Sequence, residues 1–208
     1  DLNPNTVEYD VSGDEMYIEL RTANGKNLIK ETEDGEFKGY TDKFRLHAEN
    51  VEVARRLKHA LQKAIVQCEE NYKPAYPSGA NAQIEWMIEN IPTVTLDGTT
   101  WKQTMEKVAN GSGGKIKFSQ VESDEKGGEE KIYEFNLTDL NPRSLEYHIS
   151  DDDLSLRVAT NMKSEVIKHY KDGEIQKYAS EIEIVFDNVE LARNFKGALE
   201  SAINELSK

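Results

Sequence analysis

Four histidines, one cysteine and a run of three aspartates are the residues in these 208 positions whose type and spacing bear most directly on chemistry. A metal site needs its ligands at short, regular intervals, but His47, His59, His148 and His169 fall in no HxH or HExxH arrangement. The lone Cys68 excludes an intramolecular disulfide and a Cys-rich zinc site. With no base nearby in sequence, it is expected to be a partly buried residue near a helix end rather than a nucleophile. Calcium needs six or more oxygens, usually at alternating positions with a Glu further along, so Asp151, Asp152 and Asp153 read as a solvated turn. There is no GxSxG, P-loop or dinucleotide-type glycine motif, and the GSGG at 111–114 lacks the Lys and helix that would hold a phosphate. Glu146 and Glu183 are expected to face solvent, and no carboxylate pair stands out for acid–base work. No catalytic residue, metal ligand or cofactor is predicted, and the chain is not expected to be an enzyme.

Two pairs of cations offer a different chemistry. Arg55 and Lys58, and again Arg193 and Lys196, lie three residues apart beside an apolar helical stripe. They form either a basic strip that receives an acidic partner or cations whose stems cover the sheet edge and whose heads pair with its carboxylates. These four are the candidate partner-binding residues. Tyr9 and Tyr147, and Tyr40 and Tyr178, are expected on strands, half buried with the hydroxyl at the rim.

The elements that position these residues occur twice. Shifting the sequence by 138 residues aligns 1–65 with 139–203 without a gap, and about 25 of the 65 positions are identical. Each stretch opens on DLNP, a turn signal. A short strand follows, Thr6 to Val11 or Ser144 to Ile149, and then a tight turn at Gly13-Asp14 or Asp151-Asp152. Met16, Ile18 and Leu20, like Leu154, Leu156 and Val158, alternate as a half-buried strand does. A further strand is expected at Leu28-Ile29 or Val166-Ile167. Asp34-Gly35 and Asp172-Gly173 suit hairpin turns, because both residues tolerate positive φ. The remaining strands run through Phe37, Tyr40, Phe44 and Leu46, matched by Ile175, Tyr178, Ile182 and Ile184. Asn50 and Asn188 then suit the N-caps of closing helices, with Glu52 and Glu190 in the first turns. Val51, Ala54, Leu57, Leu61 and Ile65 form one apolar stripe; Val189, Ala192, Phe195, Leu199 and Ile203 form the other.

Between the copies, KPAYPSGA (73–80) reads as a linker and 81–91 as a short helix ended by Pro92. TVTLDGTTW reads as an extended piece or a turn, and Thr99 to Val108 as a second short helix. Strands are expected at Lys115 to Val121 and Glu130 to Leu137, joined by the polar ESDEKGGEE. The expected organisation is a first module over 1–72, a linker with short helices over 73–114, and a second module over 115–208.

Seven strands followed by a helix over 115–206 resemble the pleckstrin-homology-like barrel. EFNLTDLNP, YKDGEIQKY and NVELARNFKGAL are also similar to bacterial proteins of this type, a likeness that carries no activity with it. The resemblance implies an α+β chain of two tandem antiparallel β-sheet or barrel modules, each closed by a C-terminal helix. The first module lacks the two leading strands, which lie upstream of Asp1 or are supplied by the linker region or by a second molecule. Residues 1–72 are therefore not expected to fold alone. Phosphoinositide binding in such barrels uses a basic first turn, whereas ESDEKGGEE is acidic, so such binding is not expected.

Net charge of −13 repels phosphate backbones and anionic headgroups, so nucleic acid and anionic membranes are not expected as partners. No 18-residue apolar run is present. The start at Asp1 without Met is read as that of a processed, periplasmic or secreted chain. The expected function is non-catalytic binding or scaffolding through protein or peptide contacts. The alternative is a small molecule or lipid held in a barrel pocket. The partner and the oligomeric state have no signature in the sequence.

Overall fold

The computed structural model describes residues 2–108, 114–150 and 153–208. The turn expected at Asp151-Asp152 and the loop at 110–113 lie outside the described residues. The described residues are α+β, with three α-helices and antiparallel sheets, and the chain divides into two compact units, Asp1–Lys73 and Pro74–Lys208.

The first unit holds β1 (Glu8–Ser12), β2 (Glu15–Arg21), β3 (Ile29–Glu33), β4 (Glu36–Thr41), β5 (Lys43–Ala48) and α1 (Val51–Asn71). Its three-stranded sheet runs β1-β2-β5, and among the described residues β3 pairs only with β4. In this register Tyr9 and Val11 on β1, Met16, Ile18 and Leu20 on β2, and Phe44, Leu46 and Ala48 on β5 share one face. Val7, Ile18, Leu20, Ala48, Ala54 and Ile65 are buried together there, with Leu57 and Leu61 of α1 packed against them.

The second unit holds α2 (Ala80–Asn90), β6 (Thr93–Leu96), β7 (Thr99–Lys107), β8 (Lys115–Asp124), β9 (Gly127–Asn136), β10 (Glu146–Ser150), β11 (Asp153–Ala159), β12 (Lys168–Lys171), β13 (Glu174–Ile175), β14 (Glu181–Phe186) and α3 (Val189–Leu206). One sheet runs β10-β11-β14, and a six-stranded sheet runs β13-β12-β9-β8-β7-β6. Among the described residues neither these nor the sheets of the first unit close into a barrel, so the closed barrel implied by the resemblance is not formed.

The segment expected as a linker contributes α2, β6 and β7 to the second unit. The helix expected at Thr99 to Val108 is instead the strand β7, paired with β8 from Thr100 through Lys107. Asp97 (φ 47°) and Gly98 (φ 81°) make the hairpin turn before it. Along β7, buried Gln103 and Met105 alternate with exposed Lys102, Thr104 and Glu106. A glutamine on the inward face hides that period of two.

Positions 138 apart do the same local work. Pro4–Thr6 and Pro142–Ser144 each form a 3₁₀ turn in which Asn3 or Asn141 Oδ1 accepts the N–H of Asn5 (3.0 Å) or Arg143 (3.1 Å). The hydroxyl of Thr6 or Ser144 then accepts the N–H of Arg21 (3.0 Å) or Ala159 (2.9 Å), tying the turn to β2 or β11. Buried Thr22 and Thr160 donate to the carbonyls of Lys26 (2.5 Å) and Ser164 (2.6 Å). Asn50 and Asn188 cap their helices through the N–H groups of Val53 (3.0 Å), and of Glu190 (2.9 Å) and Leu191 (3.1 Å).

Candidate functional site

The four predicted cations occupy paired positions on α1 and α3. Lys58 Nζ lies 5.5 Å from the ring centre of Tyr9, and Lys196 Nζ 5.1 Å from that of Tyr147. Lysine and tyrosine, singled out separately in sequence, form one cation–π pair per unit. Arg193 donates to Glu190 at 2.6 Å, one turn earlier on the same helix. Arg55 is exposed, and its neighbour Arg56 bonds Glu52 at 3.1 Å. In each unit the lysine thus lies against a strand tyrosine of its own sheet.

The outward face of α3 is covered. Asn194 Oδ1 accepts the N–H of Ala75 (2.9 Å), Glu205 Oε2 accepts that of Ala80 (2.8 Å), and Ser201 Oγ accepts from Gln83 Nε2 (2.9 Å). Tyr76 lies so close to Gly197 that a Cβ added there would sit 2.7 Å from its hydroxyl oxygen. The corresponding positions on α1 are Arg56, Gln67, Lys63 and His59. Of these, His59, Lys63 and Gln67 border a groove of about 700 Å³ that runs beside Pro4, Asn5, Val66 and Glu70.

The strand edges differ in the same way. In the second unit β12 lies between β13 and β9, with Lys168 opposite Glu134, His169 opposite Tyr133, Tyr170 opposite Ile132 and Lys171 opposite Lys131. The facing lysines are bridged by Glu129, whose carboxylate accepts from Lys171 and from Lys131 at 3.0 Å. These hydrogen bonds, led by that of Lys171, hold its carboxyl below the ordinary range. In the first unit β3 carries Lys30, Glu31, Thr32 and Glu33 at the corresponding positions, all exposed, and its second edge has no strand among the described residues.

The edge of β14 is closed by a side chain. Gln103 Nε2 donates to the Val185 carbonyl (2.8 Å) and the Pro92 carbonyl (3.1 Å), while its Oε1 accepts from the Val185 N–H (2.9 Å) and Gln120 Nε2 (3.1 Å). A buried amide here stands in for a peptide group of a neighbouring strand. The matching residue on β5 is His47, which is exposed.

No three His, Cys, Asp or Glu side chains among the described residues group as metal ligands. His169 stacks on Tyr133 with ring centres 4.7 Å apart, and burial lowers its pKa below the ordinary 6.5. Its Nε2 is buried without a hydrogen-bond partner. His59 is exposed, and His47 meets Tyr17 edge to face. Cys68 is exposed on α1 rather than partly buried: it continues the stripe of Leu61 and Ile65, but residues 66–70 at this end of the helix are all exposed. Glu183 is half buried rather than solvent-facing, as it pairs with Arg157 at 3.0 Å across β11 and β14. No described helix is long and apolar enough to cross a membrane.

Sequence reasoning missed the β3 edge and Gln103, since neither belongs to a motif; both emerge from comparing positions 138 apart once strand pairing is known. No family model, curated protein sequence or solved structure matches this chain.

Proposed function

We propose that the chain is a non-catalytic binding protein and that its first unit receives a partner's extended segment on the open edge of β3. One observation carries this: among the described residues β3 has a single neighbour where β12, at the same place in the repeat, has two. An unpaired strand presents N–H and C=O groups to any segment that can add antiparallel to it, and facing side chains select among such segments. The pleckstrin-homology-like reading enters as a likeness of strand order in β8 to α3, seven strands and then a helix.

The second unit supplies the probe. A peptide with the sequence of residues 127–136 would set Lys131 opposite Glu33 and Glu134 opposite Lys30, replacing the like-charged Lys131–Lys171 pairing with an attractive one. Amide hydrogen exchange of the intact chain, with and without this peptide, tests the reading. Added peptide is expected to slow exchange within Lys30–Glu33 and to leave β12 unchanged. Unaltered exchange in β3 at saturating peptide would overturn the proposal.

A further inference from the structure

The face of α1 that borders the groove corresponds, residue by residue, to the face of α3 that already holds a helix. On α3 the polar positions of that face accept hydrogen bonds: Asn194 from the Ala75 N–H and Glu205 from the Ala80 N–H at the first turn of α2. A carboxylate suits that place, because the first N–H groups of a helix have no intrahelical acceptor and carry partial positive charge. On α1 the acceptors Asn194 and Ser201 give way to cations and the carboxylate gives way to a neutral amide. Arg56 replaces Asn194, His59 replaces Gly197, Lys63 replaces Ser201 and Gln67 replaces Glu205. From Val53 to Cys68 the helix carries Arg55, Arg56, Lys58, His59 and Lys63 and no Asp or Glu, in a chain whose net charge is −13. The same stretch of α3 has both Glu200 and Glu205. His59 also removes the close approach that Gly197 gives Tyr76, so a partner must stand further off and reach the surface with longer side chains. Val66, 40 % exposed, leaves an apolar patch beside Lys63.

We propose that this face of α1 is a docking site for an acidic amphipathic helix of a partner protein, laid where α2 lies on α3 but held by its carboxylates on Arg56 and Lys63. The choice of a protein over a nucleic acid or an anionic bilayer follows from the surrounding charge: an extended polyanion would meet the acidic remainder of the chain, whereas a short helix can meet Arg56 and Lys63 and stop short of Glu70, which lines the far end of the groove. This surface is separate from the β3 edge and does not depend on strand addition there.

The test uses the intact chain and a labelled peptide of residues 74–92 bearing Gln83→Glu, followed by fluorescence anisotropy. The new carboxylate falls opposite Lys63, as Gln83 falls opposite Ser201. Expected are saturable binding that weakens with added salt, about tenfold weaker binding by the Lys63→Glu chain, and recovery when that chain meets the Gln83→Lys peptide. Recovery by charge exchange also shows that the Lys63→Glu chain is folded. No binding at millimolar peptide, equal binding by the wild-type and Lys63→Glu chains, or failure of the exchanged pair would each overturn the proposal. So would binding of phosphatidylserine vesicles or a single-stranded oligonucleotide that Lys63→Glu abolishes while the peptide does not bind.

Discussion

The two closing helices are built on one pattern and carry different loads. In α3, Ala192, Phe195, Ala198, Leu199, Ala202 and Ile203 are all buried. In α1 only Ala54 and Ile65 are, while Ala60 and Ala64, the counterparts of Ala198 and Ala202, are exposed. The sheets beneath repeat the contrast: Phe44 on β5 is 45 % exposed, and Ile182 at the same place on β14 is 2 % exposed. The difference lies in what covers each unit. The second has α2 over its helix, β9 beside β12 and Gln103 along β14. A repeat thus preserves capping and turn geometry while letting one copy spend its surface on a core and the other keep it open.

Truncating equivalent side chains is the strongest way to break this comparison. Phe195→Ala removes a fully buried ring that meets Phe186 and Trp86 and is expected to destabilise the second unit by about 3–5 kcal/mol. Leu57→Ala, at a half-buried site, should cost the first unit about 1–2 kcal/mol. Urea unfolding of both variants measures the gap, and equal losses would remove the distinction between the units.

Gln103→Leu tests the closure of the β14 edge. It leaves the buried Val185 N–H and C=O without their partner, at about 1–3 kcal/mol for an orphaned group. Amide exchange at Val185 should accelerate, whereas that at His47 on the open β5 should not change.

A third substitution sharpens the comparison by transplanting a turn. Met162 (φ 57°) and Lys163 (φ 53°) hold the left-handed conformation that Asn24 and Gly25 adopt in the first unit. Side chains other than Gly and Asn adopt it at a cost, so Met162→Asn with Lys163→Gly should stabilise the second unit by about 1–2 kcal/mol, read as a rise in its Tm.

The smallest effect is that of pH. Burial lowers the His169 pKa in the folded state, so the unfolded chain takes up this proton first. The contribution of neutral His169 is complete above its unfolded value of about 6.5 and is lost as pH falls below it toward the folded value. Glu31 occupies this place in the first unit. Comparing Tm at pH 7.5 and 5.5 in wild type and His169→Phe isolates this loss, which should vanish in the variant.

Caps and turns were legible in the sequence because their chemistry is local. Asn50 and Asn188 bond N–H groups two or three residues on, and Asp34-Gly35 and Asp172-Gly173 have the positive φ their residue types favour. The partners of a strand are not local. Nothing in Ile29–Glu33 tells that its second edge stays open, and nothing in Lys168–Lys171 tells that β9 fills the same edge. Lys58 and Lys196 were found by their recurrence, but their pairing with Tyr9 and Tyr147 depends on how each helix lies over its sheet.

The residues along the open edge of β3 also bear on what happens at high protein concentration. Lys30, Glu31 and Glu33 place ionised groups where a second identical strand would have to stack, and the register shift between Glu31 and Thr32 interrupts the even spacing that endless stacking requires. Parallel, in-register stacking of identical copies would set each of these charges on its own like and is disfavoured at the same few residues that leave room for one foreign segment.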